Sequence, residues 1–345
     1  MSKIIEDTKL DFKDVCVIPR ITSINSRKDV DLIASYESLH AKQFITGIPI
    51  ITANMSAVST FNMARAMAKH DMFCALHKHY SVEEYVKFYD RNSTEYSAIN
   101  EHVFYTLGIH DLPKFESVID KLGYIPKLIN CDVANGYMKS FHDFIKKVRS
   151  IAPLSIIMAG NVVTPEGCIA LVEAGTDIVK IGIGSSAACR SRVVAGVGIP
   201  QLSTILDCYE TVYNIGALMC SDGGCNEPGD FVKAFGAGAN FVMAGTMFSG
   251  HDECDLPVVD GKMDFYGMSS DYAMKIHNGG MNEYRSSEGI HTKVPYKGPV
   301  ENTVRHILGG LRSAGSYTNS KSIMDFERNI TFVKVNRTYN NILEK

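Results

Sequence analysis

The stretch Ala174-Gly-Thr-Asp-Ile-Val-Lys-Ile-Gly-Ile-Gly-Ser-Ser-Ala-Ala-Cys-Arg-Ser-Arg192 decides the fold. Its first residues read as a helix end and a turn, and Ile178–Ile181 reads as a short buried strand. A loop of small residues follows, so Cys189 sits just past the C-terminal end of that strand. Small residues let a substrate and the backbone approach each other closely. A cysteine in such a loop suits nucleophilic chemistry; taken in isolation it reads more readily as a small apolar side chain packed under a loop.

Outward from this unit the same beat recurs in both directions. Apolar runs at Ile48–Ala53, Met72–Leu76, Val103–Leu107, Lys127–Cys131, Ser155–Ala159, Ile178–Ile181, Ala217–Cys220 and Phe241–Gly245 give eight candidate strands. Most are followed by a helical pattern. Phe61–His70 is amphipathic, Ser81-Val-Glu-Glu84 is a capping box, and Thr164-Pro165 is an N-cap followed by proline at the first helical position. Pro228-Gly-Asp230 opens another helix that Gly236 stops. Short buried strands alternating with helices predict an α/β fold, a (β/α)8 TIM barrel forming a single catalytic domain over residues 1–345. On that fold chemistry gathers at the C-terminal strand ends, and Asn54, Lys78, Asp132, Asn161, Cys189, Asp222 and Gly245 all fall there. Beyond Ser249 the beat breaks. His251–Lys262 reads as an exposed excursion and Met268–Pro299 as loop structure over the barrel mouth, before Glu301–Arg312 returns to helical spacing.

Bulk properties narrow the function class. The chain has 345 residues, 45% hydrophobic and 21% charged, enough to bury a sizeable core, with a net charge of -3. That charge points to no nucleic-acid or membrane partner. No apolar run is long enough to span a bilayer, and the first residues carry no apolar signal core. Nine cysteines without CxxC pairs fit a reducing cytosol, so a cytoplasmic location is expected.

Asn130-Cys-Asp-Val-Ala-Asn-Gly136, Ala159-Gly-Asn-Val-Val-Thr-Pro-Glu-Gly167 and Cys220-Ser-Asp-Gly-Gly224, taken in order with the Cys189 loop, resemble the GMP reductase and IMP dehydrogenase superfamily. Two absences select the GMP reductase branch. The regulatory domain pair that IMP dehydrogenases usually insert is missing after His77-Lys-His-Tyr80. The long mobile flap is missing between Tyr266-Gly-Met-Ser-Ser270 and Glu283-Tyr-Arg-Ser-Ser-Glu-Gly289.

The resemblance implies reductive deamination of GMP to IMP, with NADPH as cofactor and release of ammonia. Cys189 would add to purine C2, and Ser191 with Glu288 would relay the proton that ammonia needs to leave. Read without the resemblance, Ser191 is a candidate helix N-cap and Glu288 a surface ion-pair partner. Asp222 would take the ribose hydroxyls, and Gly223, Gly224, Gly245 and Thr246 the phosphate. Gly267, Met268, Ser269, Arg285, Ser286, Ser287 and Gly289 match the family's substrate segments.

No GxGxxG fingerprint follows a strand. The resemblance instead places the dinucleotide on Ser26, Arg27, Lys78, Asp132, Val133, Ala134, Ile183, Gly184, Met268, Tyr284 and Arg285, across a subunit edge of a homotetramer. Arg27 also reads as part of a solvated face. His77 and His79 suggest a metal pair without an evident third ligand.

Three departures from the family pattern stand out. Ser185, Ser186, Ala187, Arg190 and Ser191 replace residues of the cysteine loop, whose carbonyls at Gly184, Ser186 and Cys189 would hold potassium. A glycine lost there costs backbone freedom wherever positive φ is required, and Arg190 brings a new charge beside the nucleophile. Thr246 replaces a glycine, and Ser56 replaces an aspartate. Two rivals stay open: a reductase of another 2-aminopurine nucleotide, and a purine-nucleotide-binding regulatory paralogue without turnover.

Overall fold

In a computed structural model, which describes residues 4–280, 283, 286–336 and 338, eight parallel strands close into a barrel. In chain order they are β1 (Ile50–Thr52), β2 (Phe73–Ala75), β3 (Val103–Leu107), β4 (Leu128–Asp132), β5 (Ile156–Val162), β6 (Ile178–Ile181), β7 (Leu218–Asp222) and β8 (Phe241–Ala244). Each pairs with its sequence neighbour, and β8 closes on β1 through Val242 to Ile50 and Ala244 to Thr52. All eight expected strands are present, with ends shifted by up to three residues. The architecture is the expected (β/α)8 barrel.

The helices obey local chemistry. α1 (Phe61–Ala68) starts where the Thr60 hydroxyl accepts the Met63 N–H. α2 (Val82–Phe88) opens on the reciprocal Ser81 and Glu84 box. α3 (Tyr96–His102), α4 (Leu112–Leu122) and α5 (Lys139–Ile151) follow. α6 (Pro165–Glu173) begins with Pro165 behind the Thr164 cap. α7 (Ser191–Val194) is a single turn, and α8 (Gln201–Asn214) and α9 (Pro228–Gly236) complete the outer layer.

Barrel strands are covered on both faces, which is why they read as apolar runs. Ile51, Phe73, Phe104, Leu128, Ile156, Ile178, Phe241 and Met243 fill the interior toward its N-terminal end. An antiparallel hairpin of Ala34–Glu37 and Phe44–Gly47 seals that end, with Ile45 and Ala41 in the same cluster and Tyr36 tilted on Phe241 at 5.5 Å. The barrel interior is thus filled at its N-terminal end, and its open end is the C-terminal mouth. A register shift between Gly160 and Val162 breaks the pairing of β5 with β6 at Asn161. Such an irregularity re-aims a side chain, and this one delivers Asn161 to the mouth.

Two expectations need correction. The segment after Ser249 is not simply exposed: His251 and Cys254 are buried, and His251 bonds to the Gly298 carbonyl and the Thr303 hydroxyl. Met268–Pro299 is not simply loop. It contains α10 (Asp271–Asn278), capped by Ser270 and ended by Gly279 in left-handed conformation, and the strand His291–Pro295, which pairs antiparallel with Lys262–Tyr266. These elements are short and polar on one side, so their periods are hard to see in sequence. α11 extends from Glu301 to Thr318, beyond the expected helix, and packs on α9.

Asp177, fully buried before β6, ties the bottom of the barrel together. Its carboxylate accepts from the N–H groups of His40, Ala41 and Ile157 and pairs with Arg149 at 2.5 Å. Removing one partner of such a buried pair typically costs about 3–5 kcal/mol. Asp177→Ala is therefore expected to lose stability on that scale in urea melts.

Candidate active site

Three side chains from two distant segments meet at the mouth. The Cys189 thiol donates to the Ser191 hydroxyl at 3.3 Å, and that hydroxyl donates to Glu288 Oε2 at 2.5 Å. The backbone brings them together. Arg190 N–H donates to the Glu288 carbonyl at 2.7 Å, and Ile290 N–H to the Ala188 carbonyl at 3.0 Å, an antiparallel bridge between Cys189 and Gly289. A Cβ on Gly289 would lie 2.8 Å from the Ser270 nitrogen, so glycine is what lets this segment lie against the turn at Gly267–Ser270. The N-cap of α7 is Arg190, which leaves the Ser191 hydroxyl free to bond Glu288. Among the described residues Glu288 forms no ion pair; its partner is Ser191.

The altered cysteine loop carries no strain of the expected kind. Among the described residues, Ser185, Ser186 and Ala187 do not have positive φ, whereas Gly184 keeps φ at 79°. The Ser186 carbonyl accepts the Cys189 N–H at 3.0 Å. Arg192 braces the loop from behind, pairing with Asp11 at 3.0 Å and donating to Ser185 Oγ and the Ile199 carbonyl. Arg190 is exposed and lines a separate depression with Asp271, Tyr272 and Lys275.

Below the cysteine lies a polar centre whose lysine the sequence reading missed. Lys180, in the middle of β6, is 1% exposed. Its ammonium reaches Asp132 and Asn161 at 2.5 Å each and Asp222 at 3.2 Å. The Asn161 amide donates to Asp222 at 2.8 Å. Burial alone would push the lysine pKa down, but Asp132 and Asp222 more than offset it and hold it above its ordinary value. Burial likewise opposes ionisation of Asp132, and Lys180 outweighs it, so that carboxyl stays below its usual range. The available clue was a lysine inside an otherwise apolar strand.

A cleft of about 490 Å³ runs from Asp132, Val133 and Ala134 past Ile183 and Gly184 to Cys189. Lys180, Asp222, Ser286 and Glu288 also line it. An adjoining cavity of about 180 Å³ is lined by Gly223, Gly245, Gly267, Met268 and Gly289. Cys189, Asp222, Ser269 and Glu288 face both spaces, so the thiol stands at their junction. Gly223 has φ of 94°, and a Cβ there would come 3.0 Å from the Ser186 nitrogen.

Other expected site residues lie elsewhere. Gly224, with φ of 85°, packs against Phe12 and Gln201. Thr246 starts a 3-10 turn and lines neither space, and Ser287 braces α10 by accepting the Asp271 N–H. Ser26 and Arg27 sit on a separate turn packed against α11. Lys78 approaches Asp111 at 3.6 Å. Tyr284 and Arg285 lie outside the described residues.

The histidines form a stack. His79 lies on His277 at 3.6 Å, and His77 on Tyr80 at 4.0 Å. Burial, then the neighbouring histidines and lysines, push His77 down to about 3 and His79 down to about 4, so both are neutral near pH 7. Among the described residues no group of three His, Cys, Asp or Glu side chains is arranged to hold a metal ion. Ser56 joins this cluster, 2.9 Å from His277 Nε2 and 3.1 Å from the Tyr266 hydroxyl. The position where the family pattern has a carboxylate thus holds a neutral hydrogen-bonding group.

Comparison with known proteins agrees with this geometry. The model of the IMP dehydrogenase / GMP reductase domain matches residues 9–341. GMP reductases of Shigella boydii serotype 4 (strain Sb227) and Escherichia coli (strain K12 / DH10B) are each 45% identical over 350 residues, covering 99% of this chain and 100% of theirs. The chain belongs to the IMP dehydrogenase / GMP reductase family.

Of the nine cysteines only Cys16 and Cys189 are partly exposed. Burial pushes the thiols of Cys74 up to about 12 and Cys254 up to about 11, and raises Cys131, Cys220 and Cys225 as well. Iodoacetamide at neutral pH is therefore expected to label Cys189 and Cys16 on the folded protein, and Cys189→Ala to remove one of those labels on peptide mapping.

Proposed function

We propose that this member of the IMP dehydrogenase / GMP reductase family catalyses NADPH-dependent reduction of GMP to IMP with release of ammonia. The line from Cys189 through Ser191 to Glu288 carries the reading, because it connects a nucleophile to a proton store. The thiol proton passes through Ser191 to Glu288, leaving a thiolate. The thiolate adds to purine C2. Glu288 returns the proton through Ser191 to the C2 amine, which leaves as ammonia, and a thioimidate on Cys189 remains. NADPH, when bound, supplies a hydride to C2. Breaking the C–S bond then yields IMP and the thiolate, which takes up a proton from solvent to restore the starting thiol.

The cleft supports this division of labour. Asp222 is set to accept from ribose hydroxyls, with Gly223 and Gly245 leaving room for the phosphate. Asp132, Val133, Ala134, Ile183 and Gly184 form the wall on which the dinucleotide would lie. Ser26 and Arg27 do not line this cleft, which suits residues that complete a neighbour's cofactor site in a homotetramer. Among the described residues no helix is long and apolar enough to cross a membrane, and free cysteines throughout suit a reducing cytoplasm.

Potassium, if used, would sit on the carbonyls of Gly184, Ser186 and Cys189. The Ser186 carbonyl already closes a turn onto Cys189, and Arg192 braces the same loop. Replacing potassium by sodium is accordingly expected to leave turnover largely unchanged; a steep loss would assign the ion to that loop.

NADPH absorbance with GMP as substrate tests the reaction. Wild type should oxidise NADPH only when GMP is present, and Cys189→Ala should abolish this. Glu288→Gln should lower kcat by about 10²–10⁴-fold, the usual worth of a positioned general acid. GMP binding without NADPH oxidation in the wild type would instead support the regulatory paralogue, and oxidation with a different 2-aminopurine nucleotide alone the altered substrate.

A further inference from the structure

The strands around the barrel mouth supply two carboxylates and one buried cation. Asp132 from β4 and Asp222 from β7 project from opposite sides of Lys180, whose ammonium lies within hydrogen-bond distance of both. Asn161 from β5 fills the gap, accepting from Lys180 and donating to Asp222. Lys180 itself is sealed from solvent. Asp132 and Asp222 both line the large cleft and the adjoining cavity.

We propose that Lys180 is a positioning residue for both ligands at once: it fixes the orientation of Asp222 toward the purine nucleotide and of Asp132 toward the dinucleotide. This rests on the assignment of those two carboxylates made above. A lysine that served stability alone would need one carboxylate partner, and that partner would need no opening to a cleft. Here both partners keep exposed oxygen surface on the ligand side. The ammonium also keeps two like charges from repelling each other across the mouth.

The other groups facing this centre are few. Lys78, from the loop after β2, adds a second positive field on Asp132, and Asn54, after β1, hydrogen-bonds to it. Cys220 lies behind Asp222 on β7, and burial raises its thiol. Cys189 and Glu288 line the same cleft. Without Lys180, burial would act on Asp132 with less opposition, and its carboxyl would protonate at a higher pH. A function that needs the carboxylate form is lost as pH falls through that pKa, so the loss would begin at a higher pH.

The test compares the full-length wild type with Lys180→Met and Lys180→Arg. KM for GMP and for NADPH, the pH profile of kcat/KM, and the rate of Cys189 alkylation are measured on each. Lys180→Met should raise both KM values by at least about tenfold, as loss of one partner from a buried hydrogen-bonded charge pair does. Its acid limb should move to higher pH while Cys189 alkylation stays at the wild-type rate. Lys180→Arg, which keeps the charge at a displaced position, should leave the acid limb in place and raise both KM values less. Unchanged KM values, an effect on one substrate only, or an unmoved acid limb in the methionine variant overturns the proposal. Should the methionine variant fail to fold, the arginine variant decides, because wild-type KM values there overturn the proposal equally. A wild type without GMP-dependent NADPH oxidation would sink the reductase reading instead. Calorimetric titration of GMP and of NADP+ into wild type and Lys180→Met then reads Lys180 separately, with parallel weakening expected and wild-type affinities overturning it.

Discussion

The site depends on a short backbone clasp between residues 188–190 and 288–290. Two N–H to carbonyl bonds, at 2.7 and 3.0 Å, join segments about a hundred positions apart and so put Ser191 beside Glu288. Such bonds each contribute only about 0.5–1.5 kcal/mol net, so the clasp does not hold by its own strength. It holds because both segments are anchored elsewhere. The cysteine loop hangs from β6 and is braced by Arg192. The Glu288 segment runs into a strand paired with Lys262–Tyr266, and the Gly267 N–H at the end of that strand donates to the Ile290 carbonyl at 2.9 Å. Displacing either anchor would separate the thiol from its relay without touching any of the three side chains.

The barrel was legible because its strands are buried on both faces. Continuous apolar runs separated by caps and glycines leave little ambiguity, and Val103–Leu107 and Ile178–Ile181 appear with the bounds that the sequence predicts. The functional side chains at strand ends were legible for the same reason, since strand ends on this fold point to one mouth. Illegible were contacts that no local pattern encodes. The hairpin that plugs the barrel bottom, the strand pair of Val15–Val17 with Phe332–Lys334, and the burial of His251 all rest on long-range pairing. α10 was hidden by its polarity. Lys180 was hidden differently: its residue type is visible, but its two partners are 48 and 42 positions away, and only closure of the barrel brings them to it.

The two ends of the barrel solve opposite problems. At the bottom, Asp177 satisfies three backbone N–H groups and Arg149, and an apolar plug excludes water. Both oxygens of the Asp177 carboxylate there are matched by donors of the protein itself. At the mouth the match is incomplete by design of the geometry. One ammonium serves two carboxylates, each of which has oxygen lone pairs left over. Those lone pairs face the cleft, where hydroxyl donors can reach them.

The clasp is written in main-chain atoms, and this has a bearing on how the chain can diverge. Ala188, Arg190 and Ile290 contribute only amide groups to it, so many residue types satisfy those positions equally. Gly289 has no such latitude, because any side chain would meet the Ser270 backbone. Drift around Cys189, including the Ser185-Ser-Ala187 run, then leaves the clasp intact as long as Gly289 persists. Sequence distance in this loop is a poor measure of catalytic distance; the pattern worth tracking in relatives is the glycine opposite the cysteine.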